Sequence, residues 1–250
     1  MMKPRRVDHL LSRYGYCTRK EVPRWLREGR VTTIDGTPVR QAKDKINPLD
    51  LRIDAQPIEH PEGYLVLLHK PAGYVCSHTQ QEGRRVFDLL PEQWIHRDPA
   101  PMSVGRLDKD TTGLLLLTDL GELVHRFTTP RSKIPKVYQV KVDRPLTDHL
   151  IEKFATGDLL LEEETKPCQP STLTIHTNPQ EATLTLYEGR YHQVKRMFSH
   201  FGYQVTQLHR SQFGDYHLEN LPVGEYRVLP TLFSETSQEV SETSQELLGL

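Results

Sequence analysis

Four consecutive leucines, Leu114–Leu117, directly follow a polar segment, 105–113, that contains two glycines, two aspartates and an arginine. A short apolar run between turn-forming residues predicts a buried strand, although the period alone does not exclude a helix. Functional side chains are often carried on loops that a rigid element fixes in place. The pattern therefore predicts a charged loop that is anchored to the edge of a hydrophobic core.

The N-terminal part of the chain has the pattern of a small separate module. Apolar residues within Val7–Leu11 recur at the spacing of a short amphipathic helix. Thr18–Glu21 has the form of a capping box and predicts a second helix, in which Pro23 would cause a bend or an irregular first turn. The segment Val31–Val39 predicts a hairpin, and the composition of 54–63 predicts a linker.

The rest of the chain mixes the patterns of strands and helices in irregular order, which predicts a mixed-sheet α+β protein. Strands are expected at Tyr64–Leu68, Lys136–Val142, Ser171–Ile175 and Ala182–Leu186. Helices are expected at Val86–Leu90, Glu122–Phe127, Thr147–Ala155 and Tyr191–Phe201. Trp94–Pro101 is predicted to be irregular and Glu162–Glu164 to be a solvated turn. Residues 231–250 contain an acidic seven-residue repeat, which is typical of a disordered tail.

Composition restricts the class of protein. The chain has 250 residues, of which 36% are hydrophobic and 26% charged, as in globular proteins with a real core. No apolar run approaches the roughly 20 residues that a membrane span needs. The basic start is not followed by an apolar signal region, so the cytoplasm is the expected location. Cys17, Cys76 and Cys168 form no Cys-x-x-Cys pair, which argues against a zinc ribbon or a disulfide framework.

The net charge of −1 conceals an uneven distribution. Residues 1–60 contain 13 Lys and Arg against 8 Asp and Glu, whereas residues 231–250 contain four Glu and no basic residue. A basic first block on a nearly neutral protein is consistent with contact to a polyanion such as nucleic acid. A solvated basic face without a ligand would give the same balance.

Three separated motifs carry the candidate chemistry. They are Gly105–Asp108 with Asp110–Gly113, then Lys136–Tyr138, then Glu188–Phe198. Together they resemble the RsuA-type pseudouridine synthases, and the likeness extends from about Tyr64 to Pro230. This resemblance implies a mixed-sheet catalytic domain at 60–230 that converts uridine in RNA to pseudouridine without metal or redox cofactor.

The same resemblance suggests roles for individual residues. Asp108 would be the catalytic carboxylate, as nucleophile or as base, and Lys195 its cationic partner. Tyr138 would stack on the flipped base, and its hydroxyl could help to move the carbon-5 proton. Arg106, Arg190 and Arg196 would contact RNA. A carboxylate in a water-poor pocket stays ionised only if a cation pairs with it, which agrees with the expected role of Lys195.

The N-terminal module resembles the RNA-binding domain shared with ribosomal protein S-four. The points of likeness are Val7–Leu11, Cys17–Glu21, Glu28–Val31 and Ile34–Gly36. The resemblance implies a small helical and hairpin RNA-binding domain at 1–59. Its basic side chains would neutralise phosphates, which positions RNA without reading its sequence. The expected RNA contacts are Arg19, Lys20, Arg24 and Arg27.

The motif Glu188–Phe198 resembles most closely that of the small-subunit enzyme, which implies uridine 516 of 16S rRNA as target. The expected partner is a partly assembled small subunit, and the enzyme is expected to be a monomer. A 23S rRNA synthase of the same branch and a non-catalytic ribosome-assembly factor remain alternatives. Each residue also has a non-catalytic interpretation: Asp108 could form a turn, Tyr138 could be an ordinary strand aromatic, and Lys195 could be solvated. Asp108–Asp119 also mimics part of a calcium loop.

Overall fold

The computed structural model describes residues 2–129 and 132–230; the predicted tail, 231–250, lies outside them. The N-terminal part contains β1 (Arg5–Arg6), α1 (Val7–Arg13), α2 (Val22–Arg27), β2 (Val31–Thr33), β3 (Lys45–Ile46), β4 (Leu51–Ile53) and β5 (Gln56–Pro57). The central part contains β6 (Leu65–Lys70), α3 (Glu92–Ile95), β7 (Met102–Val104), β8 (Thr112–Thr118), α4 (Gly121–Thr128) and β9 (Lys136–Val142). The last part contains α5 (His149–Thr156), β10 (Thr172–Ile175), β11 (Glu181–Leu186), α6 (Gln193–His200), β12 (Val205–Phe213), β13 (Tyr216–His217) and β14 (Tyr226–Leu229). None of the described helices is long and apolar enough to cross a membrane.

The N-terminal part has its own hydrophobic core. Its helices and strands bury apolar side chains against one another, among them Val7, Leu10, Trp25 and Leu51. Pro23 does not bend α2, because α2 begins one residue earlier and proline sits in its first turn, while Arg19–Glu21 form a turn ahead of the helix. At that position the backbone N–H would have no partner within the helix, so proline removes no hydrogen bond.

A mixed sheet forms the body of the protein, in the order β10-β11-β9-β12-β8-β6-β14, with β7 beside β8 and β13 beside β12. The pair of β12 and β8 is parallel, and the other pairs of this sheet are antiparallel. The α+β, mixed-sheet prediction is therefore confirmed.

The predicted strand of leucines is the buried strand β8. Leu115 and Leu117 belong to one hydrophobic core, and Leu114 and Leu116 to a second core on the opposite face of the sheet. Successive side chains of a strand point to opposite faces, so a strand covered on both sides reads as an unbroken apolar run. This explains why the four leucines lack the alternation of a half-buried strand.

The segment 54–63 connects the N-terminal core to the central sheet, as expected of a linker, and it has regular structure and a buried side chain of its own. It contains β5, and Ile58 is 4% exposed within the N-terminal core. The carbonyl oxygen of Pro61 accepts a 2.8 Å hydrogen bond from the Tyr14 hydroxyl. Turn-forming composition therefore marks a bend between the two cores here, but side chains on both sides hold the bend in place.

The segment Trp94–Pro101 begins at the end of α3 and is irregular from His96 onwards, as predicted. Trp94 lies on the short helix α3, and its indole Nε1 donates to the Glu59 carboxylate at 2.7 Å. A Cβ atom added at Gly15 would lie about 2.0 Å from the carbonyl oxygen of Gln93, so the two backbones touch at this point. The N-terminal part is thus packed closely on the sheet domain.

A buried ion pair secures this junction. The Arg97 guanidinium lies 3.3 Å from the Asp119 carboxylate, with the side chains 2% and 8% exposed. Arg97 also donates to the backbone carbonyls of Glu59 and His60, and Asp119 accepts from the backbone N–H of Tyr64. One pair of charges therefore joins the segment 54–63, the start of β6 and the end of β8.

We expect Arg97→Met to lower the free energy of unfolding by about 3 kcal/mol, because it leaves the Asp119 charge buried without its partner. Arg227→Met is the matched control, since it removes a guanidinium from an exposed pair with Glu219 and should cost less than about 1 kcal/mol. Urea denaturation followed by tryptophan fluorescence measures both. Equal decreases in the free energy of unfolding of the two variants would show that the buried pair of Arg97 and Asp119 stabilises the fold no more than an exposed pair does.

Candidate active site

The loop between β7 and β8 carries the predicted catalytic aspartate, and a buried lysine fixes it. Lys70, at the end of β6, is fully buried, and its ammonium donates to the carbonyl oxygens of Pro71, Lys109 and Thr111 at 3.0, 3.2 and 2.8 Å. Burial lowers the pKa of Lys70 to about 8. The loop around Asp108 is thus tied to the sheet by hydrogen bonds to its own backbone.

Asp108 lies in a cluster of charged side chains. The Lys195 ammonium is 3.3 Å from one carboxylate oxygen of Asp108 and donates to Asp110 at 2.6 Å. The other oxygen of Asp108 is 3.4 Å from Nε2 of His192. Lys195 projects from α6 and Asp108 from the loop before β8, so the structure brings together two residues that are 87 positions apart in the sequence.

The local electrostatics favour the charged forms. The hydrogen bond from Lys195 lowers the pKa of Asp110 below its ordinary value. Burial alone would lower the pKa of Lys195, but its hydrogen bond to Asp110 and the negative charge of Asp108 raise it. Lys195 therefore stays protonated at neutral pH as the cation of this cluster.

A cleft of about 650 Å³ opens beside this cluster. Asp108, Arg106 and Tyr138 contribute to its wall. Tyr138, on β9, is 8% exposed, so its ring belongs to both the core and the cleft. The volume is sufficient for one nucleotide-sized ligand, given that ligand pockets measure roughly 300–1,000 Å³.

Sequence reasoning assigned no role to several side chains of this site. His192 immediately precedes α6 in the left-handed conformation (φ 48°), and its ring stacks on Tyr191 at 3.8 Å. Lys136 and Arg210, on neighbouring strands, also line the cleft. Lys136 lies within the motif Lys136–Tyr138, of which only Tyr138 was given a role, and Arg210 has no sequence signal of its own. The register of β9 and β12 brings the two together.

Two of the predicted RNA contacts are already paired. Glu164 lies 3.3 Å from the Arg190 guanidinium and 2.9 Å from that of Arg196, and Glu188 lies 3.1 Å from Arg190. Glu162 and Glu163 form the exposed turn that was predicted, but Glu164 instead holds two arginines beside α6. Arg190 and Arg196 present no free guanidinium to RNA in this arrangement.

The other predicted RNA contacts are exposed. Arg106 stands at the rim of the cleft, and no carboxylate lies within 4 Å of it among residues 2–129 and 132–230. In the N-terminal part, the Arg19 guanidinium lies 3.1 Å from Nδ1 of His9, whereas Arg24 faces Glu21 and Glu28 at 3.9 and 3.6 Å. Lys20 and Arg27 are exposed as well.

The calcium interpretation of Asp108–Asp119 does not fit the fold. Residues in the middle of that segment form β8, and Asp119 is paired with Arg97 at the far end of the strand. In the part of the chain that the structure describes, no cluster of three or more His, Cys, Asp or Glu side chains could hold a metal ion.

Comparison with known proteins shows which family this chain is similar to. The sequence profile of the RNA pseudouridylate synthase family matches residues 64–200. A ribosomal small subunit pseudouridine synthase A of Yersinia pestis is 42% identical over 231 residues, which cover 90% of this chain and 95% of that protein. Its counterpart in Escherichia coli K12 is 40% identical over 230 residues, with coverage of 90% and 96%.

A solved structure of a pseudouridylate synthase is 33% identical and has a TM-score of 0.62, covering 95% of this chain and 99% of that one. Fold, charged cluster and relatives together define an RNA-modifying isomerase. The chain belongs to the RNA pseudouridylate synthase family, and the RsuA-type resemblance of its motifs is confirmed. The likeness of residues 1–59 to the ribosomal protein S-four domain stays a prediction.

We expect Lys195→Met to raise the pKa of Asp110 towards its ordinary value, because the variant removes the hydrogen bond that lowers it. Lys109→Met is the matched control, since Lys109 neighbours the same carboxylates in the sequence but makes no ion pair with them within 4 Å. Carboxyl-carbon NMR titration measures the change. An Asp110 pKa that is the same in both variants would contradict the assigned contact.

Proposed function

We propose that this enzyme isomerises one uridine of 16S rRNA, uridine 516, to pseudouridine in the cytoplasm. The most direct support is that relatives matched along nine-tenths of the chain are named as small-subunit synthases. The agreement of motifs, fold and charged cluster supports the same reaction for this chain. No redox cofactor is needed, since the product is an isomer of the substrate and the reaction involves no net oxidation or reduction.

The observation that carries the proposed chemistry is the placement of Asp108 at the cleft, 3.3 Å from Lys195. The reaction breaks the bond between the sugar and N1 of uracil and forms one between the sugar and C5. N1 gains a proton and C5 loses one. Asp108 acts on the ribose as nucleophile or as base, and the Lys195 ammonium lies beside its carboxylate as the neighbouring cation.

The uridine must leave its stack to reach this carboxylate, as bases do in enzymes that modify them. Tyr138 offers an aromatic surface in the cleft on which the flipped uracil would stack. Its hydroxyl would assist the transfer of the C5 proton. Arg106, exposed at the rim, would hold a backbone phosphate of the strand that enters.

RNA would also dock on the N-terminal module at 1–59, whose exposed basic side chains face solvent. Arg19, Lys20 and Arg27 are the favoured phosphate contacts, because Arg24 shares its charge with two carboxylates. We propose that a single protomer binds a partly assembled small subunit. Phosphate contacts of this kind orient the RNA and leave the choice of uridine to the cleft.

Asp108→Asn should abolish isomerisation while RNA affinity stays within a few-fold, because the amide keeps the shape but loses the charge that the sugar requires. Asp215→Asn, a change of the same kind at an exposed turn, should leave activity intact. The assay is pseudouridine mapping of rRNA from cells that lack the protein and carry either variant or the wild type. Turnover by Asp108→Asn would overturn the assignment.

The same mapping tests the substrate. Loss of one 16S site that only an active enzyme restores would support the proposal. Loss of a 23S site would keep the chemistry and replace the substrate. An unchanged rRNA pattern would favour the alternative of a non-catalytic ribosome-assembly factor.

We expect Lys20→Gln and Arg27→Gln each to weaken binding to a 16S rRNA fragment and to reduce the slope of log K against log salt by about 1, because each variant neutralises one phosphate fewer. Arg24→Gln should change both less, because its charge is already shared with Glu21 and Glu28. Fluorescence anisotropy over a range of salt concentrations measures the slopes. Equal slopes in wild type and all three variants would exclude phosphate contacts on α2 and its N-terminal turn.

A further inference from the structure

Arg210, on β12, is a buried cation whose hydrogen bonding is incomplete. The side chain is 1% exposed, and its Nε donates to the carbonyl oxygen of Leu114 at 2.8 Å. Its Nη2 nitrogen is buried and has no hydrogen-bond partner among residues 2–129 and 132–230. Burying a charge without full pairing is costly. Since Arg210 lines the cleft, a ligand there could supply the missing acceptor.

A second cation lies beside it. The Lys136 ammonium and the Arg210 guanidinium both lie over the ring of Phe213, at 5.3 and 5.1 Å from its centroid. Lys136 donates to the carbonyl oxygen of Ile134 at 3.0 Å, which leaves two of its three N–H groups available. Burial, and then the positive charge of Arg210, lower the pKa of Lys136 to about 8.

These two cations lack the carboxylate partners that Lys195, Arg190 and Arg196 have. Within the described residues no Asp or Glu lies within 4 Å of Lys136 or Arg210. Glu188 acts on Lys136 electrostatically, but its carboxylate is bound to Arg190 and to the backbone N–H of Gln169. Lys136 and Arg210 therefore form a positive end of the cleft, whereas the Lys195 ammonium beside the cleft is paired with Asp108 and Asp110.

The strand register places the positive end next to Tyr138. Arg210 is the cross-strand neighbour of Tyr138, and Lys136 precedes Tyr138 by two residues on the same strand. Residues in these positions share one face of a sheet. Lys136, Tyr138 and Arg210 accordingly form one wall, with Asp108 also lining the cleft.

We propose that Lys136 and Arg210 bind the phosphate of the flipped nucleotide, while Tyr138 stacks on its base and Asp108 acts on its sugar. This inference rests on the proposed function, because it takes a uridine nucleotide as the ligand. Uracil is neutral, whereas a phosphodiester carries one negative charge on two oxygens that accept from both cations. Guanidinium and ammonium groups bind such oxygens with charge-assisted hydrogen bonds.

A purely structural role for Lys136 and Arg210 agrees less well with their contacts than a role in ligand binding. Lys70, which is equally buried, is satisfied by three carbonyl oxygens. Arg97 also has one nitrogen, Nη1, without a partner in the described part of the chain, but Asp119 compensates its charge and it does not line the cleft. Arg210 has a single carbonyl oxygen, an unused nitrogen and no carboxylate, and it does line the cleft.

The test compares two probes, uridine and the methyl ester of uridine 5′-phosphate, which carries the single charge of an RNA phosphodiester. Binding to the full chain is measured by NMR titration at low salt. The wild type should bind the ester at least about tenfold more tightly than uridine, the expected effect of one charge-assisted hydrogen bond. Lys136→Met should remove most of this preference and leave uridine binding within about twofold.

Lys141→Met is the matched control, because Lys141 lies on the same strand and pairs with Glu181 outside the cleft; it should keep the wild-type preference.

Arg210→Gln should act like Lys136→Met if it folds, and the conclusion depends on Lys136→Met alone if it does not. Equal binding of the two probes by the wild type, or no binding of the ester at millimolar concentration, overturns the inference. A Lys136→Met variant that weakens both probes equally would place the cations on the base and overturn it too.

Failure of this inference is distinguishable from failure of the proposed function. A wild type that forms pseudouridine in rRNA but shows no preference for the ester would refute the phosphate site alone. A wild type that prefers the ester but modifies no rRNA would refute the proposed reaction and keep the anion site.

Discussion

The geometry of the site depends on the buried ammonium of Lys70. It sits at the end of β6 and satisfies three carbonyl oxygens of the turn after β6 and of the loop before β8. The chain turns away from the sheet at these positions, and one cation supplies a hydrogen bond to all three carbonyls. The loop that carries Asp108 is therefore held by its backbone, and the Asp108 carboxylate, paired with Lys195, lines the cleft.

A second constraint sets the distance between the two halves of the charged cluster. Lys195 reaches Asp108 only because α6 is fixed beside the sheet. Glu164 binds Arg190 and Arg196 on either side of the start of this helix, and buried Val194 and Phe198 pack beneath it. Arg190 and Arg196 thus help to position Lys195. The motif Glu188–Phe198 therefore supplies both the cation of the charged cluster and the arginines that hold it in place.

Much of this architecture could be predicted from local patterns. The buried leucine strand, the alternating strand Lys136–Val142 and the helix around Leu150 and Phe154 agree with the structure because burial imposes their periods directly. The pairing of Asp108 with Lys195 was expected only through the family resemblance, since no local pattern brings these positions together. The parallel contact of β12 with β8 and the whole of β12 escaped prediction, because its polar residues interrupt the alternation.

Buried cations were the hardest to foresee. Lys70, Arg97 and Arg210 each read as a surface charge in sequence, since lysine and arginine are seldom fully buried. A weak signal exists for Lys70, which ends an apolar strand immediately before Pro71 and a turn. The three differ in what compensates their charge: three backbone carbonyls for Lys70, a carboxylate for Arg97, and a single carbonyl for Arg210. Only Arg210 combines an uncompensated charge with an unused donor, and it does so at the wall of the cleft, where an RNA ligand would bring its own negative charge.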